Sequence, residues 1–98
     1  MTAYISITRE KTRDPELFEE YKSKVRSTLA AYGAVILANQ GRHDVLEGAP
    51  TEGVVLLKFS TYDDALAWYH SEAYQSVSVP RLQGSDHRYV IFDGMDGS

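Results

Sequence analysis

Two periodicities alternate along this chain in one order, strand, helix, strand, strand, helix, strand, and that order leaves few folds open. Residues 3–9 alternate with period two, Ile5 and Ile7 on one side and Tyr4, Ser6 and Thr8 on the other. Both sides are rich in β-branched or aromatic residues, which predicts a strand at least partly covered on each face. Asp14 then offers a carboxylate to the free amides of a first helical turn, and Pro15 stands where a missing N–H costs nothing. Glu16, Glu19 and Glu20 place negative charge at the positive end of the helix dipole. Leu17, Phe18, Tyr21, Val25, Leu29 and Tyr32 recur at spacings of three and four, one apolar stripe, and Gly33 can take the left-handed conformation that ends a helix.

The apolar run 34–38 is a second strand, broken by Asn39-Gln40-Gly41. Val45 and Leu46 predict a further short strand before a loop marked by Gly48, Pro50 and Gly53. Residues 54–59 read as a strand buried on both faces. Thr61 and Asp64 form a capping box for the second helix, whose apolar side carries Ala65, Leu66, Trp68 and Tyr69. Ser71 and Glu72 interrupt it, residues 74–79 add a turn or two, and Pro80 is expected to stop it. Residues 87–92 close the order as a strand with Tyr89 and Ile91 opposite Val90 and Phe92.

This is the split βαβ order, βαββαβ: an α+β fold with a four-stranded antiparallel sheet and two helices on one face. The opposite face needs a cover. In a chain of 98 residues with no third layer, the cheapest cover is a second copy, joined sheet to sheet by a two-fold axis. With no linker or strong repeat, residues 1–98 are expected to form one domain, with 94–98 a loose tail.

Composition narrows the partners. Lys and Arg number 10 against 14 Asp and Glu, a net charge of -4, and the cations are scattered instead of clustered, which disfavours nucleic acid and anionic membranes. The opening MTAYISITRE lacks the basic start and apolar run of a leader, and no apolar stretch reaches the roughly 20 residues of a membrane helix. The expected setting is the cytoplasm. The absence of cysteine removes disulfides, thiolate metal sites and a cysteine nucleophile.

Chemistry is sparsely marked. His43, His70 and His87 include no i, i+4 pair, no serine sits in a Gly-x-Ser-x-Gly elbow, and the glycines are too dispersed to cradle phosphate. No metal or cofactor is expected. His43, beside Asp44 in a turn, and His70, ending a helix, are the candidate bases near pH 7. Seven tyrosines and one tryptophan are a heavy aromatic load for this length. Tyr21, Trp68, Tyr69 and Tyr74 read either as core residues with a polar tip or as the walls of a cleft for a small organic molecule. Arg81 reads as the anchor for a carboxylate or phenolate in that cleft, as a solvated arginine, or as a partner of Glu47 or Asp86.

An ordered set of short matches spans nearly the whole chain. It comprises Tyr4, Asp14-Pro15-Glu16 with Phe18 and Tyr21-Lys22, Gly33, Leu46-Glu47-Gly48 and Phe59-Ser60. It continues through Ala65, Trp68-Tyr69, Ser71-x-x-Tyr74-Gln75, Arg81 and the strand 88–92. Taken together the set resembles the domain-of-unknown-function family thirteen-thirty, in the dimeric α+β barrel group. The resemblance implies a ferredoxin-like protomer and a homodimer through the sheet. The wider group includes cofactor-free oxygenases and isomerases, haem-degrading proteins and domains without known activity, so the fold does not choose a reaction. Tyr32-Gly33-Ala34 departs from the His-Gly-Gly of many members, which removes one base from consideration. Two functions are therefore expected to compete. One is a dimeric small-molecule-binding protein with an aromatic cleft, working as a cofactor-free enzyme or as a binder. The other is a non-catalytic module for self-association or partner docking.

Overall fold

A computed structural model describes residues 2–95 of the chain. The first strand, β1 (Ala3–Thr12), alternates buried and half-buried residues, so Ala3, Ile5 and Ile7 face the core while Tyr4, Ser6 and Thr8 face away. Helix α1 (Pro15–Ala30) begins where expected: Asp14 Oδ1 accepts from the N–H groups of Glu16 (3.1 Å) and Leu17 (3.4 Å). It ends on Gly33, at φ +67°, with the Ala34 N–H donating to the Leu29 carbonyl and the Gly33 N–H to that of Ala30. That pairing is a Schellman motif, and its left-handed residue is costly for any side chain but glycine.

Strands β2 (Val35–Asn39), β3 (Gly53–Phe59) and β4 (Ser85–Asp93) complete one antiparallel sheet in the order β2-β3-β1-β4. The register sets Ile5 between Leu57 and Ile91, and Ile7 between Val55 and Tyr89. These rows form the helix-facing side of the sheet. Phe18, Tyr21 and Leu29 of α1 pack onto it with Ala65, Trp68 and Tyr74 to make the core.

Three expectations are corrected. Val45 and Leu46 form no strand: they lie in the irregular segment 40–52, and Leu46 is 90% exposed. β2 is already an edge strand paired to β3, and the segment turns over the open sheet face, where Val45 and Leu46 border a groove with Ser6, Thr8 and Val90. The helical layer holds three helices instead of two, because α2 (Tyr62–His70) is followed at once by α3 (Glu72–Gly84). Ser71 makes the junction: its Oγ donates to the Trp68 carbonyl at 2.7 Å and accepts from the Tyr74 N–H at 3.1 Å, ending one helix and capping the next. Finally, Pro80 does not stop the helix, which runs through it to Gly84.

Packing explains the last result. Tyr74, Ser78, Arg81 and Gly84 are the buried face of α3, and both the Arg13 and Asp14 N–H groups donate to the Gly84 carbonyl, at 2.7 and 2.9 Å. A Cβ at Gly84 would stand 2.8 Å from the Leu17 Cβ and 3.0 Å from the Asp14 carbonyl oxygen, so only glycine lets the end of α3 reach the start of α1. A proline inside a helix costs about 3 kcal/mol through its lost N–H bond and ring clash, and the docking of this face offsets it.

The other sheet face carries no helix. Val54, Leu56 and Lys58 there are half-buried, so β3 is not covered on both sides within one chain, and Val90 and Phe92 are 40% and 42% exposed. Tyr4 and Phe92 stack on this face at 5.6 Å. At the chain end, the Gly94 N–H donates to the Thr2 carbonyl at 2.7 Å; of the expected loose tail, residues 96–98 lie outside the described residues. Among the described residues no helix is long and apolar enough to cross a membrane.

Candidate functional site: a cavity under the first helix

Between α1 and the sheet lies a cavity of about 280 Å³. Its floor is aliphatic, from Ile7, Val55 and Leu57, and its roof is the inner side of α1, with Phe18, Tyr21, Val25 and Leu29. Trp68 closes it from α2, and His87 and Tyr89 close it from β4. Lys22, Arg26 and Asn39, all exposed, mark the solvent side. On the β2 side the lining is completed by Ile36 and Gln40.

Among the residues proposed from sequence, Tyr21 and Trp68 form cavity wall. Trp68 is fully buried and also core, packed 4.1 Å from Tyr74 and 5.7 Å from Phe59 between ring centroids. Tyr74 and Tyr69 sit behind this wall, Tyr69 edge-on to Trp68. The hydroxyls of Tyr21, Tyr74 and Tyr89 meet in a triangle with sides of 3.2, 3.0 and 2.8 Å. Burial drives the Tyr21 and Tyr89 hydroxyls well above the ordinary tyrosine value, and their neighbouring phenols add to the shift. Tyr21 and Tyr89 stay protonated, and the three hydroxyls form one hydrogen-bonded cluster.

Arg81 is neither solvated nor paired with Asp86. It is 5% exposed, its guanidinium carbon lies 4.7 Å from the Tyr89 ring and 5.8 Å from the Tyr21 ring, and its Nε has no hydrogen-bond partner. The Asp86 carboxylate is taken by Arg13. Cation–π contact with two rings gives the buried charge part of the stabilisation that a carboxylate would supply.

The two histidines proposed as bases are not brought to the cavity. His43 lies in the 40–52 segment, with Nε2 3.0 Å from the Thr51 carbonyl and Nδ1 3.3 Å from that of Gly41. Those two acceptors raise its pKa, favouring a charged imidazole that ties the loop together. His70 ends α2, exposed, its ring against Tyr69. The histidine in the cavity wall is His87, which sequence reading placed only at the start of a strand. Its ring lies 5.6 Å from Phe18, and burial, then the charges of Arg81 and Arg9, push its pKa down to about 4. One signal could have found it: extending the period of Tyr89 and Ile91 back by two places His87 on the core side of its strand. Among the described residues no three His, Asp or Glu side chains gather as a metal site.

Solved structures similar to this one share its fold. A protein of unknown function from Rhodopseudomonas palustris superposes with a TM-score of 0.77 at 11% identity, over 97% of this chain and 83% of that one. A dimeric protein of unknown function with a ferredoxin-like fold, from Bacteroides fragilis, gives 0.64 at 12%, over 95% and 96%. SnoaB, a cofactor-independent oxygenase from Streptomyces nogalater, gives 0.54 at 12%, over 97% and 92%. At such identities the likeness establishes the ferredoxin-like α+β fold and nothing finer. No curated protein matches the chain. The sequence model of the family described as a domain of unknown function, DUF1330, matches residues 2–95, and the chain belongs to that family.

Proposed function

We propose that the chain acts in the cytoplasm as one half of a symmetric dimer and binds a small organic molecule in the cavity beneath α1. One observation carries this reading: between α1 and the sheet lies a space of about 280 Å³ behind a wall of Phe18, Tyr21 and Trp68. Interiors are packed to crystal-like density and rarely hold voids larger than a water. A space this large, apolar beneath and polar at the mouth, has the build of a ligand site. About 150 Å³ is enough for a benzene-sized ring, so a one-ring compound with substituents fits. Of the residues proposed from sequence, Tyr21 and Trp68 contact the ligand in this reading. Tyr69, Tyr74 and Arg81 hold the wall from behind.

Action as a cofactor-free enzyme belongs to the same proposal. Its support is a neutral imidazole, His87, in an apolar wall, and a fold shared with a protein described as a cofactor-independent oxygenase. The dimer is supported by Val90 and Phe92 on the uncovered sheet face and by the dimeric protein from Bacteroides fragilis. That same face favours the second reading, a non-catalytic association module, in which pairing is the whole function.

Native mass spectrometry of the purified protein separates them. A dimer carrying a defined added mass on each subunit supports the ligand reading. A dimer without added mass, whose Trp68 emission stays unchanged across a panel of small aromatic compounds, overturns it and leaves the association module. A monomer overturns the dimer.

A further inference from the structure

The cavity wall carries charge of one sign. Lys22 and Arg26 line it, and no Asp or Glu does, in a chain whose net charge is -4. The two cations stand four apart on α1, so they are neighbours on one helix face, where like charges destabilise the helix. Lys22 is partly compensated: its Nζ lies 2.7 Å from Glu19 and 5.0 Å from the Phe18 ring centroid. Arg26 makes no ion pair among the described residues. An anion between these two side chains would relieve the repulsion, and the guanidinium suits a carboxylate through paired N–H donors.

The β4 side of the cavity offers a directed acceptor, besides the buried Gln40 Oε1, which has no partner among the described residues. Ser85 Oγ donates to the Arg81 carbonyl at 3.1 Å and also lies 3.1 Å from His87 Nδ1. A hydroxyl has one proton, and a carbonyl can only accept, so that proton is committed to Arg81. Toward His87 the serine oxygen therefore accepts, which puts the imidazole hydrogen on Nδ1 and leaves the lone pair on Nε2. Nε2 has no partner among the described residues. Burial, and after it the charges of Arg81 and Arg9, keep the ring neutral, so Nε2 remains an acceptor. Lys22 and His87 both lie against Phe18, so the cationic mouth and the acceptor flank the same aromatic side chain.

We infer that the cavity takes a one-ring hydroxy-aromatic carboxylate. Its carboxylate sits at Lys22 and Arg26, and its hydroxyl donates to His87 Nε2. The inference rests on the ligand-binding reading above and names the class of compound. A neutral ligand would leave the Arg26 guanidinium without an ionic partner at the mouth. A ligand without a donor would leave the lone pair of His87 Nε2 unused.

The test uses three probes on the unmodified protein: 4-hydroxybenzoate, 4-hydroxybenzamide and benzoate. Affinities come from titration calorimetry, and the single tryptophan gives one indole N–H resonance that reports occupancy of the cavity. Expected is binding of 4-hydroxybenzoate about tenfold tighter than of either other probe, about 1.4 kcal/mol. Arg26→Gln, at an exposed position, should remove the advantage over the amide without altering the affinity for the amide. His87→Gln should remove the advantage over benzoate. Equal binding of the amide and the carboxylate, with the indole resonance shifting for both, overturns the assigned class while the cavity remains a ligand site. No shift and no heat with any probe overturns the ligand-binding reading itself.

Discussion

The indole Nε1–H of Trp68 donates to Thr28 Oγ1 across 3.1 Å, joining α2 to α1 behind the cavity wall. Thr28 spends its own proton on the Val25 carbonyl at 2.6 Å, so its oxygen is free to accept. Trp68 is thus fully buried and fully hydrogen-bonded, and it also closes one side of the cavity. Core and cleft, set against each other by the sequence, are two faces of one side chain.

Trp68→Ala should therefore cost about 3–5 kcal/mol of folding stability, the usual range for truncating a buried large aromatic. Trp68→Phe keeps most of the apolar contact and loses the bond to Thr28, so it should cost less, about 1–2 kcal/mol. Urea denaturation of both variants checks the order. A Trp68→Ala variant as stable as the parent would mean that the indole contributes nothing to the core.

The three phenols behind Trp68 act as a unit. Tyr74 is completely buried, and its hydroxyl lies 3.2 Å from that of Tyr21 and 2.8 Å from that of Tyr89. Tyr74→Phe keeps the ring and removes one corner of the triangle, an expected loss of about 1 kcal/mol. Because the hydroxyls share partners, Tyr21→Phe and Tyr74→Phe together should depart from additivity by at least about 0.5 kcal/mol. A double-mutant cycle in urea measures this, and strict additivity would show that the hydroxyls do not support one another.

How far the fold could be read depended on how local its causes were. Both ends of α1 were legible because Asp14 and Gly33 act on backbone groups within a few residues. The start of α2 was legible for the same reason, through Thr61 Oγ1 and the Asp64 N–H. Pro80 misled because the local rule lost to packing. Its absent N–H leaves the Ser76 carbonyl without a donor, but Ser76 lies on the exposed side where water can serve, while Ser78 and Arg81 are buried beside it. Val45 and Leu46 misled because an apolar pair can cover a sheet face from a loop as readily as it can join a strand. The cavity left no periodic trace, since it is the gap between Phe18, Ile36 and Val55, three residues far apart in the chain. His87 takes its character from Phe18, Arg9 and Arg81, none near it in sequence apart from Arg81.

The uncovered sheet face gives a prediction about assembly. Phe92, near the end of edge strand β4, is 42% exposed and stacks on Tyr4 at 5.6 Å, on the face proposed to meet its copy. Phe92→Asp would place a charge where the partner's apolar face should sit, at a position outside the core, so the fold should survive. Light scattering after size exclusion should then give one chain mass in place of two, with an unchanged far-ultraviolet spectrum. An unaltered dimer would place the interface elsewhere.

Acid should weaken the protein through His87. Free imidazole titrates near 6.5, and in the folded chain His87 titrates at about 4, chiefly through burial and then the charges of Arg81 and Arg9. Between these values the unfolded chain binds the proton and the folded chain does not, so folding stability falls as pH drops from about 6.5 toward 4. Above 6.5 both states are neutral at this position and the contribution is fully present. His43 works in the opposite sense, since its raised pKa favours the folded state below 6.5, but it is exposed and its bonds are to loop carbonyls. His87→Gln removes the linked proton, so the difference in melting temperature between parent and variant should shrink steadily across this window. Because the carboxylates titrate alike in both proteins, the difference isolates His87. A difference that stays constant from pH 7 to pH 4 would mean that the folded and unfolded chains take up this proton alike, so that burial does not hold the imidazole neutral. The lone pair assigned to Nε2 would then be lost to a proton already below about pH 6.5.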